Sequence, residues 1–194
     1  MRSPDRSIDA WDEELNRAAM TLDNLREGFC VVLQEVLMPL VGTRLGDDMT
    51  VAVDYRRGWS QDEDLMALLH SNRYQDRTYG YTRVGPHRAD FVIKLNGFPA
   101  SVRLSRGQHK LLVMALVLAQ AHLYKANRGS PCILLIDDLP AELDRVHRER
   151  VMGCLASMDV QLFITAIEPG LLDIATWKRV CVFDIEHGNI GQVA

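Results

Sequence analysis

The stretch that decides the fold is Ile133-Leu134-Leu135-Ile136-Asp137-Asp138, which runs on into Ala141-Glu142-Leu143-Asp144. About thirty residues earlier the chain reads Leu104-Ser105-Arg106-Gly107-Gln108, at the start of a long apolar segment. The later stretch predicts a buried strand that places two carboxylates at its carboxyl end. The earlier stretch predicts a helix capped by Ser105.

The helix start suits a phosphate group, and the acidic strand end suits the cation that accompanies it. A helix N-terminus presents free N–H groups and a positive dipole end to a phosphate, and Gly107 lets the backbone come close to a ligand. Asp137 and Asp138 would repel each other, and a bound cation such as Mg²⁺ would remove that penalty. The residues alone also allow plainer interpretations. Ser105 could be an ordinary cap, and the two aspartates could be solvated acids, one of them capping the next helix.

From Ser105 onward the chain alternates between helical and strand patterns, which predicts an α/β fold with a largely parallel sheet. Gly129 and Pro131 separate the first helix from the first strand. The predicted helices cover residues 106–126, 144–157 and 171–175, and the predicted strands cover residues 132–136, 160–164 and 179–185.

The first forty residues predict one long helix that ends at Pro39 and Gly42. Its apolar positions have the spacing of a coiled-coil seam. Either this stripe packs on the domain itself, or its partner helix lies outside these 194 residues. The stripe consists of Ile8, Trp11, Leu15, Ala18, Leu22, Leu25, Phe29, Val32 and Val36.

The segment between this helix and Ser105 predicts a strand, a helix and a hairpin. Alternation in Met49–Tyr55 predicts a half-buried strand. Ser60 and Glu63 have the spacing of a capping box that opens a helix to Asn72. A tight turn at Asn96-Gly97 predicts a hairpin after the strand at residues 91–95. We divide the chain into a helical arm, residues 1–78, and an α/β lobe, residues 79–194.

Composition limits the function classes. The net charge is −4, but residues 73–110 hold eight Lys or Arg and two acids, which leaves 14 basic and 24 acidic residues elsewhere. This asymmetry fits either a face for a polyanion or a solvated surface loop. No run of eighteen apolar residues occurs, so we expect a cytoplasmic protein without membrane contact. We expect the four cysteines to be buried, reduced thiols, because they form no Cys-x-x-Cys pair.

Four motifs together resemble the RecF family of bacterial repair and replication proteins. They are Gly-Pro-His-Arg-Ala-Asp at residues 85–90, Leu-Ser-Arg-Gly-Gln-x-Lys-Leu-Leu at 104–112, Leu-Ala-Gln at 118–120, and Asp-Asp-Leu-x-Ala-Glu-Leu-Asp at 137–144. The resemblance implies part of an ABC/SMC-like ATPase head, with a signature loop, a Walker B strand and a D-loop, joined to a helical arm. It implies ATP and Mg²⁺ as cofactors.

The resemblance also implies roles for individual residues. Asp137 would help to hold Mg²⁺, Asp138 would orient or deprotonate the attacking water, and Thr165 would stand where many ABC ATPases place a phosphate-sensing histidine, which argues for slow hydrolysis. ATP held by a facing protomer would be contacted by Ser105, Arg106, Gly107, Gln108 and Asp144. DNA phosphates would be contacted by Arg83, His87, Arg88 and Lys94, although without the family context a lone histidine such as His87 is more often a structural group.

RecF-like proteins pair their heads when ATP binds, bind single-stranded and duplex or gapped DNA, and work with RecO and RecR to load RecA in repair, replication restart and the SOS response. No Gly-x-x-x-x-Gly-Lys-Ser/Thr run occurs here. We therefore expect a C-terminal half that is inactive as an ATPase on its own. The alternative is a non-catalytic module that docks onto RecR or onto an intact RecF-type head. An unrelated α/β domain is the third possibility.

Overall fold

A computed structural model describes residues 6–45, 49–158, 160–175 and 177–192. The chain forms two compact units, one of residues 1–38 with 50–103 and the other of residues 39–49 with 104–194. The division predicted at residue 78/79 falls inside the first unit. Among the described helices none is long and apolar enough to cross a membrane.

The first unit combines helices with a small antiparallel sheet. Helix α1 covers Arg6–Leu45, of which the part up to Met38 belongs to this unit, and α2 covers Leu65–Tyr79. Strands β1 (Val51–Arg56), β2 (Asp90–Leu95) and β3 (Phe98–Pro99) form the sheet in that order, and α3 covers Ala100–Arg103. A 3₁₀ turn at Pro86–Arg88 precedes β2.

Helix α1 differs from its prediction in two ways. It continues through Pro39 to Leu45, and the fully buried Leu37 and Val41 on either side of Pro39 show that packing outweighs one lost backbone donor. The predicted stripe is mostly exposed, with Trp11 at 73%. The buried stripe lies beside it and consists of Ala19, Asp23, Cys30, Leu33, Leu37 and Val41. Leu15 packs against the buried cluster of Ala19, Trp59, Leu65 and Leu69. Most of the other stripe residues are exposed, and a partner for them elsewhere stays a prediction.

The local signals around the first sheet are largely confirmed. β1 and the β2–β3 hairpin form as predicted, with Val51 opposite Leu95 and Asn96 in the left-handed region at the turn. The predicted capping box is wrong in detail, because Asp64 caps α2 by accepting from the Ala67 N–H at 3.0 Å. Helix α2 also runs about two turns beyond Asn72, to its cap at Gly80.

The second unit is built on a parallel strand pair. It contains α4 (Arg106–Arg128), β4 (Ile133–Ile136), α5 (Leu139–Glu142), α6 (Arg145–Ser157) and β5 (Gln161–Ile164). The hairpin of β6 (Phe183–Glu186) and β7 (Asn189–Gln192) forms a separate sheet. The predicted strand at residues 179–185 is therefore shifted and antiparallel, and a 3₁₀ turn at Pro169–Leu171 replaces the helix predicted at residues 171–175.

One face of the β4–β5 pair packs on helices and the other does not. Leu134, Ile136, Leu162 and Ile164 pack against a buried cluster that includes Leu118 and Leu155. On the opposite face Ile133, Leu135 and Phe163 are 59%, 77% and 52% exposed. The prediction that β4 is a buried strand is wrong for this face. The prediction that the cysteines are buried is also wrong for Cys181, which is exposed.

Candidate nucleotide site and basic segment

The carboxyl ends of β4 and β5 bring the predicted acidic residues and Thr165 together. The strands are parallel with Ile136 opposite Ile164, so Asp137 and Thr165 follow side by side. The Thr165 hydroxyl donates to Asp137 Oδ1 at 2.6 Å and accepts from the Asp138 N–H at 2.8 Å. Thr165 therefore fixes the Asp137 carboxylate, and its only hydroxyl proton is engaged there.

Asp138 has an unusual environment. Its backbone lies in the left-handed region, at φ 42° and ψ 50°, which non-glycine residues seldom adopt. Its Oδ1 atom is buried and has no hydrogen-bond partner within the part of the chain described. Backbone strain and an unpaired polar atom each cost stability and tend to occur at functional sites.

The site fits a magnesium ion held together with a nucleotide. Mg²⁺ takes oxygen ligands, keeps several waters, and binds to proteins through one or two carboxylates plus substrate phosphates. The exposed Asp137 carboxylate provides such a ligand, and the unpaired Asp138 oxygen beside it is free to accept a hydrogen bond from water. The described residues contain no cluster of three or more His, Cys, Asp or Glu that could hold a metal without the nucleotide.

The start of α4 has the predicted cap. Ser105 Oγ accepts from the Gln108 N–H at 3.3 Å, and Gln108 Oε1 accepts from the Ser105 N–H at 2.9 Å, which completes a capping box. Arg106 and Gly107 are exposed in the first turn, where N–H groups lack intrahelical partners. The Lys110 ammonium lies 2.7 Å from the Glu142 carboxylate, so the first part of α4 is tied to α5 in the same unit.

Asp144 caps α6. Its Oδ1 accepts from the His147 N–H at 2.9 Å, and its Oδ2 lies 2.6 Å from His147 Nδ1. The backbone hydrogen bond from His147, followed by the contact with its side chain, holds the pKa of Asp144 below its ordinary value. The carboxylate is exposed, so a second contact with a facing protomer stays a prediction.

Most of the predicted DNA-binding side chains already have partners inside the first unit. Arg83 Nε donates to Asp76 at 3.0 Å, and the same guanidinium contacts Asn72 and Gln75. The Lys94 ammonium lies 2.8 Å from Asp54, and His87 Nε2 lies 2.7 Å from the Thr82 carbonyl oxygen. The positive excess counted from the sequence is therefore partly neutralised by local pairs.

A buried polar network behind the Gly85–Asp90 motif was missed by sequence reasoning. Asp23, 6% exposed, binds Arg57 at 2.8 Å and accepts from the Tyr55 hydroxyl at 3.0 Å. Arg26 donates to the Pro86 carbonyl oxygen at 2.6 Å and so fixes the 3₁₀ turn. Burial, followed by the contact with Asp23, raises the pKa of Tyr55. The sequence contains one sign of this network. Asp23 and Arg26 are charged residues at positions that continue the helical spacing of the buried stripe of α1.

The same motif closely approaches the backbone at Gly58. The Gly85 N–H donates to the Gly58 carbonyl oxygen at 3.3 Å, and Gly58 has φ +94°. A Cβ atom at residue 58 would meet the Gly85 carbonyl oxygen, and would lie 2.8 Å from the Ala89 nitrogen. Only glycine fits this position without moving the segment that carries His87 and Arg88.

The second unit has a capped helix start, an acidic strand end and a following capped helix, which is the arrangement expected from the resemblance to an ABC/SMC-like ATPase head. A family model described as "RecF/RecN/SMC N terminal domain" matches residues 11–190. The chain belongs to this RecF/RecN/SMC family.

Individual relatives point to the RecF branch. The chain is 39% identical over 189 residues to the DNA replication and repair protein RecF of Thioalkalivibrio sulfidiphilus, covering 97% of this chain and 52% of the relative. It is 40% identical over 190 residues to the protein of the same name from Pseudomonas aeruginosa LESB58, covering 94% of this chain and 50% of that protein. The chain thus spans about half the length of the curated relatives it matches.

Solved structures support the fold. A structure described as RecF-ATP in the RecFOR pathway matches with a TM-score of 0.80 at 21% identity, covering 99% of this chain and 52% of that one. A structure from a study of ATP-driven dimerisation in SMC ATPases matches with a TM-score of 0.51 at 13% identity, covering 89% of each chain. Both matches confirm the predicted α/β head fold.

Proposed function

We propose that this chain supplies the acidic and capping sides of an ATP site in a RecF-like DNA-repair protein, and that the phosphate-binding loop lies in a separate stretch of protein. The observation that carries the proposal is the Asp137–Thr165–Asp138 arrangement at the ends of two parallel strands, in the unit that also holds the capped start of α4. Strand ends of parallel sheets and helix starts are where nucleotides bind.

Each residue then has a distinct task. A magnesium ion bound with ATP would neutralise phosphate charge, and Asp137, oriented by Thr165, would help to hold it. Asp138 would orient the attacking water or accept its proton. The free amides of Arg106 and Gly107, beside Ser105 and Gln108, would contact the terminal phosphate of ATP on a facing protomer. Asp144 would contact that protomer across the interface.

Isolated, the chain should bind ATP weakly or not at all, since the phosphates lack the lysine and amide nest of a P-loop. Mixing it with the P-loop-bearing part of a RecF relative should restore binding of fluorescent ATP and ATP-dependent head pairing in sedimentation. Ser105→Arg should abolish pairing, whereas Ser157→Arg at the exposed end of α6 should not. Submicromolar ATP binding by the chain alone would contradict the proposal.

Partners and pathway follow from the same proposal. The complete protein would bind DNA in the cytoplasm, act with RecO and RecR, and support RecA loading in repair, replication restart and the SOS response. Binding through phosphate contacts from Arg88 and its basic neighbours predicts affinity that falls steeply with salt. An interaction with DNA that is insensitive to salt would speak against this part of the proposal.

A second function is favoured by the exposed β4–β5 face. Ile133, Leu135 and Phe163 would let the chain dock, without catalysis, onto an intact RecF-type head or onto RecR. The two functions differ in one measurement. A docking module should bind its target equally with and without ATP, and Asp138→Asn should leave that binding unchanged.

A further inference from the structure

Two exposed tyrosines and two arginines form a continuous row on the first unit. The Tyr79 and Tyr81 ring centroids are 6.2 Å apart with the ring planes tilted by 47°. The Arg83 guanidinium carbon lies 5.5 Å from the Tyr79 centroid, and that of Arg88 lies 5.8 Å from the Tyr81 centroid. We call these four residues the arginine–tyrosine ladder.

The ladder is held by its own backbone and by local pairs. Gly80, at φ +79°, caps α2 and turns the chain between the two rings, with its N–H bonded to the Asp76 carbonyl oxygen at 2.8 Å. Arg83 is anchored on the Asp76 carboxylate. Arg88 sits in the 3₁₀ turn, where its N–H donates to the Gly85 carbonyl oxygen at 2.9 Å. The rings are therefore presented by ordered structure and not by a free tail.

Core packing does not account for these rings. Tyr79 is 61% exposed and Tyr81 is 53% exposed, so the aromatic area remains largely in contact with water. Within the described residues Arg88 has no salt-bridge partner, and the segment around the ladder carries the basic excess of the sequence. Exposed rings flanked by cations are the arrangement that holds single-stranded nucleic acid, since bases stack on the rings and the cations meet the backbone.

We propose that the arginine–tyrosine ladder is a stacking site for unpaired DNA bases, with Tyr79 and Tyr81 contacting the bases and Arg88 the phosphates. The inference rests on the proposed DNA-binding function and assigns a substrate form and a site to it. It differs from the phosphate contacts predicted from the sequence, because it requires bases as well as charge.

The test separates bases from phosphates. The full chain is titrated at low salt with a labelled 20-nucleotide dT strand and with an abasic strand of equal phosphate number. We expect the dT strand to bind at least about five-fold more tightly than the abasic strand, because stacking of one base on an aromatic ring contributes about 1 kcal/mol or more. Tyr79→Leu with Tyr81→Leu should remove that preference and leave affinity for the abasic strand unchanged, whereas the double Phe variant should keep it. Tyr74→Leu, which alters a more exposed tyrosine outside the ladder, should have no effect.

Each outcome decides something. Equal binding of dT and the abasic strand by the unmodified chain would overturn the stacking site and leave DNA binding through phosphates intact. Binding of neither strand would overturn both the site and the proposed DNA-binding function of this chain. If the double Leu variant loses its circular dichroism signal, the comparison of the two strands on the unmodified chain still decides the question.

Discussion

Replacing Gly58 by alanine tests the close approach of Gly58 to the Gly85–Asp90 motif. The added Cβ would lie 2.8 Å from the Ala89 nitrogen and 2.9 Å from the Arg88 carbonyl carbon, and would overlap the Gly85 carbonyl oxygen. All three are backbone atoms, so no side chain can turn aside. The φ of +94° adds strain of about 1–2 kcal/mol for any residue with a Cβ, and overpacking adds about 1–3 kcal/mol.

Two matched variants separate these contributions. Gly80→Ala introduces the same kind of φ strain, at +79°, with no atom within 4 Å of the new Cβ, so it should cost about 1–2 kcal/mol. Gly28→Ala lies within helix α1, also with nothing within 4 Å, and should stabilise the protein by about 0.5–1 kcal/mol. Gly58→Ala should exceed both, with a cost of about 2–5 kcal/mol.

Urea unfolding provides the measurement. With a slope of about 2 kcal/mol per M, Gly58→Ala should lower the midpoint by about 1–2.5 M. The buried Trp59 reports on the first unit if Trp11 and Trp177 are replaced by phenylalanine in every variant. A Gly58→Ala midpoint no lower than that of Gly80→Ala would refute the close backbone approach, and with it the argument that Gly58 holds the motif in place.

Two further results are expected. Asp23→Ala should cost about 3 kcal/mol in urea unfolding, because it removes the carboxylate partner of Arg57, whose side chain is only 18% exposed. Glu14→Ala, which breaks an exposed pair, should change little. The Asp144 carboxylate has a lowered pKa in the folded chain, so its stabilising effect is complete above its ordinary value of 3.8 and is lost as pH falls through the lower folded value. Asp144→Asn should keep the cap of α6 and make acid unfolding less steep, and an unchanged acid profile would show that Asp144 adds nothing.

The candidate site could be predicted from the sequence where its causes are local or follow from topology. Ser105 and Asp144 are caps because each side chain meets the N–H group three residues ahead, a relation fixed by sequence spacing. Asp137 and Thr165 meet because each directly follows a strand, and the two strands are parallel neighbours in register. This contact can therefore be predicted from the sequence whenever the pairing of the two strands is predicted correctly.

The sequence predictions fail where one local pattern is compatible with two different tertiary arrangements. Helix α1 carries two apolar stripes, and only tertiary packing selects the one through Ala19, Leu33 and Leu37. The alternating pattern of residues 179–185 was compatible with a parallel strand, but the turn at Gly188 pairs β6 with β7 instead. The charges of Asp23 and Arg26 at buried spacing could have been noticed, but their partners could not be predicted. Asp23 meets Arg57 and Tyr55, and Arg26 meets Pro86, and only the fold brings these distant residues together.

Asp137 and Asp138 lie at the carboxyl end of β4, next to the exposed face of the β4–β5 sheet, and this position links the fold to the proposed function. Parallel strands are normally covered on both faces, yet Ile133, Leu135 and Phe163 leave one face of β4–β5 in water. Asp137 and Thr165 continue the same alternation of exposed positions beyond the strands. A protein layer that covers this apolar face would therefore end beside the carboxylates. Under our proposal that layer carries the phosphate-binding loop, so covering the sheet and completing the ATP site are one event, and ATP should strengthen the association of the two parts.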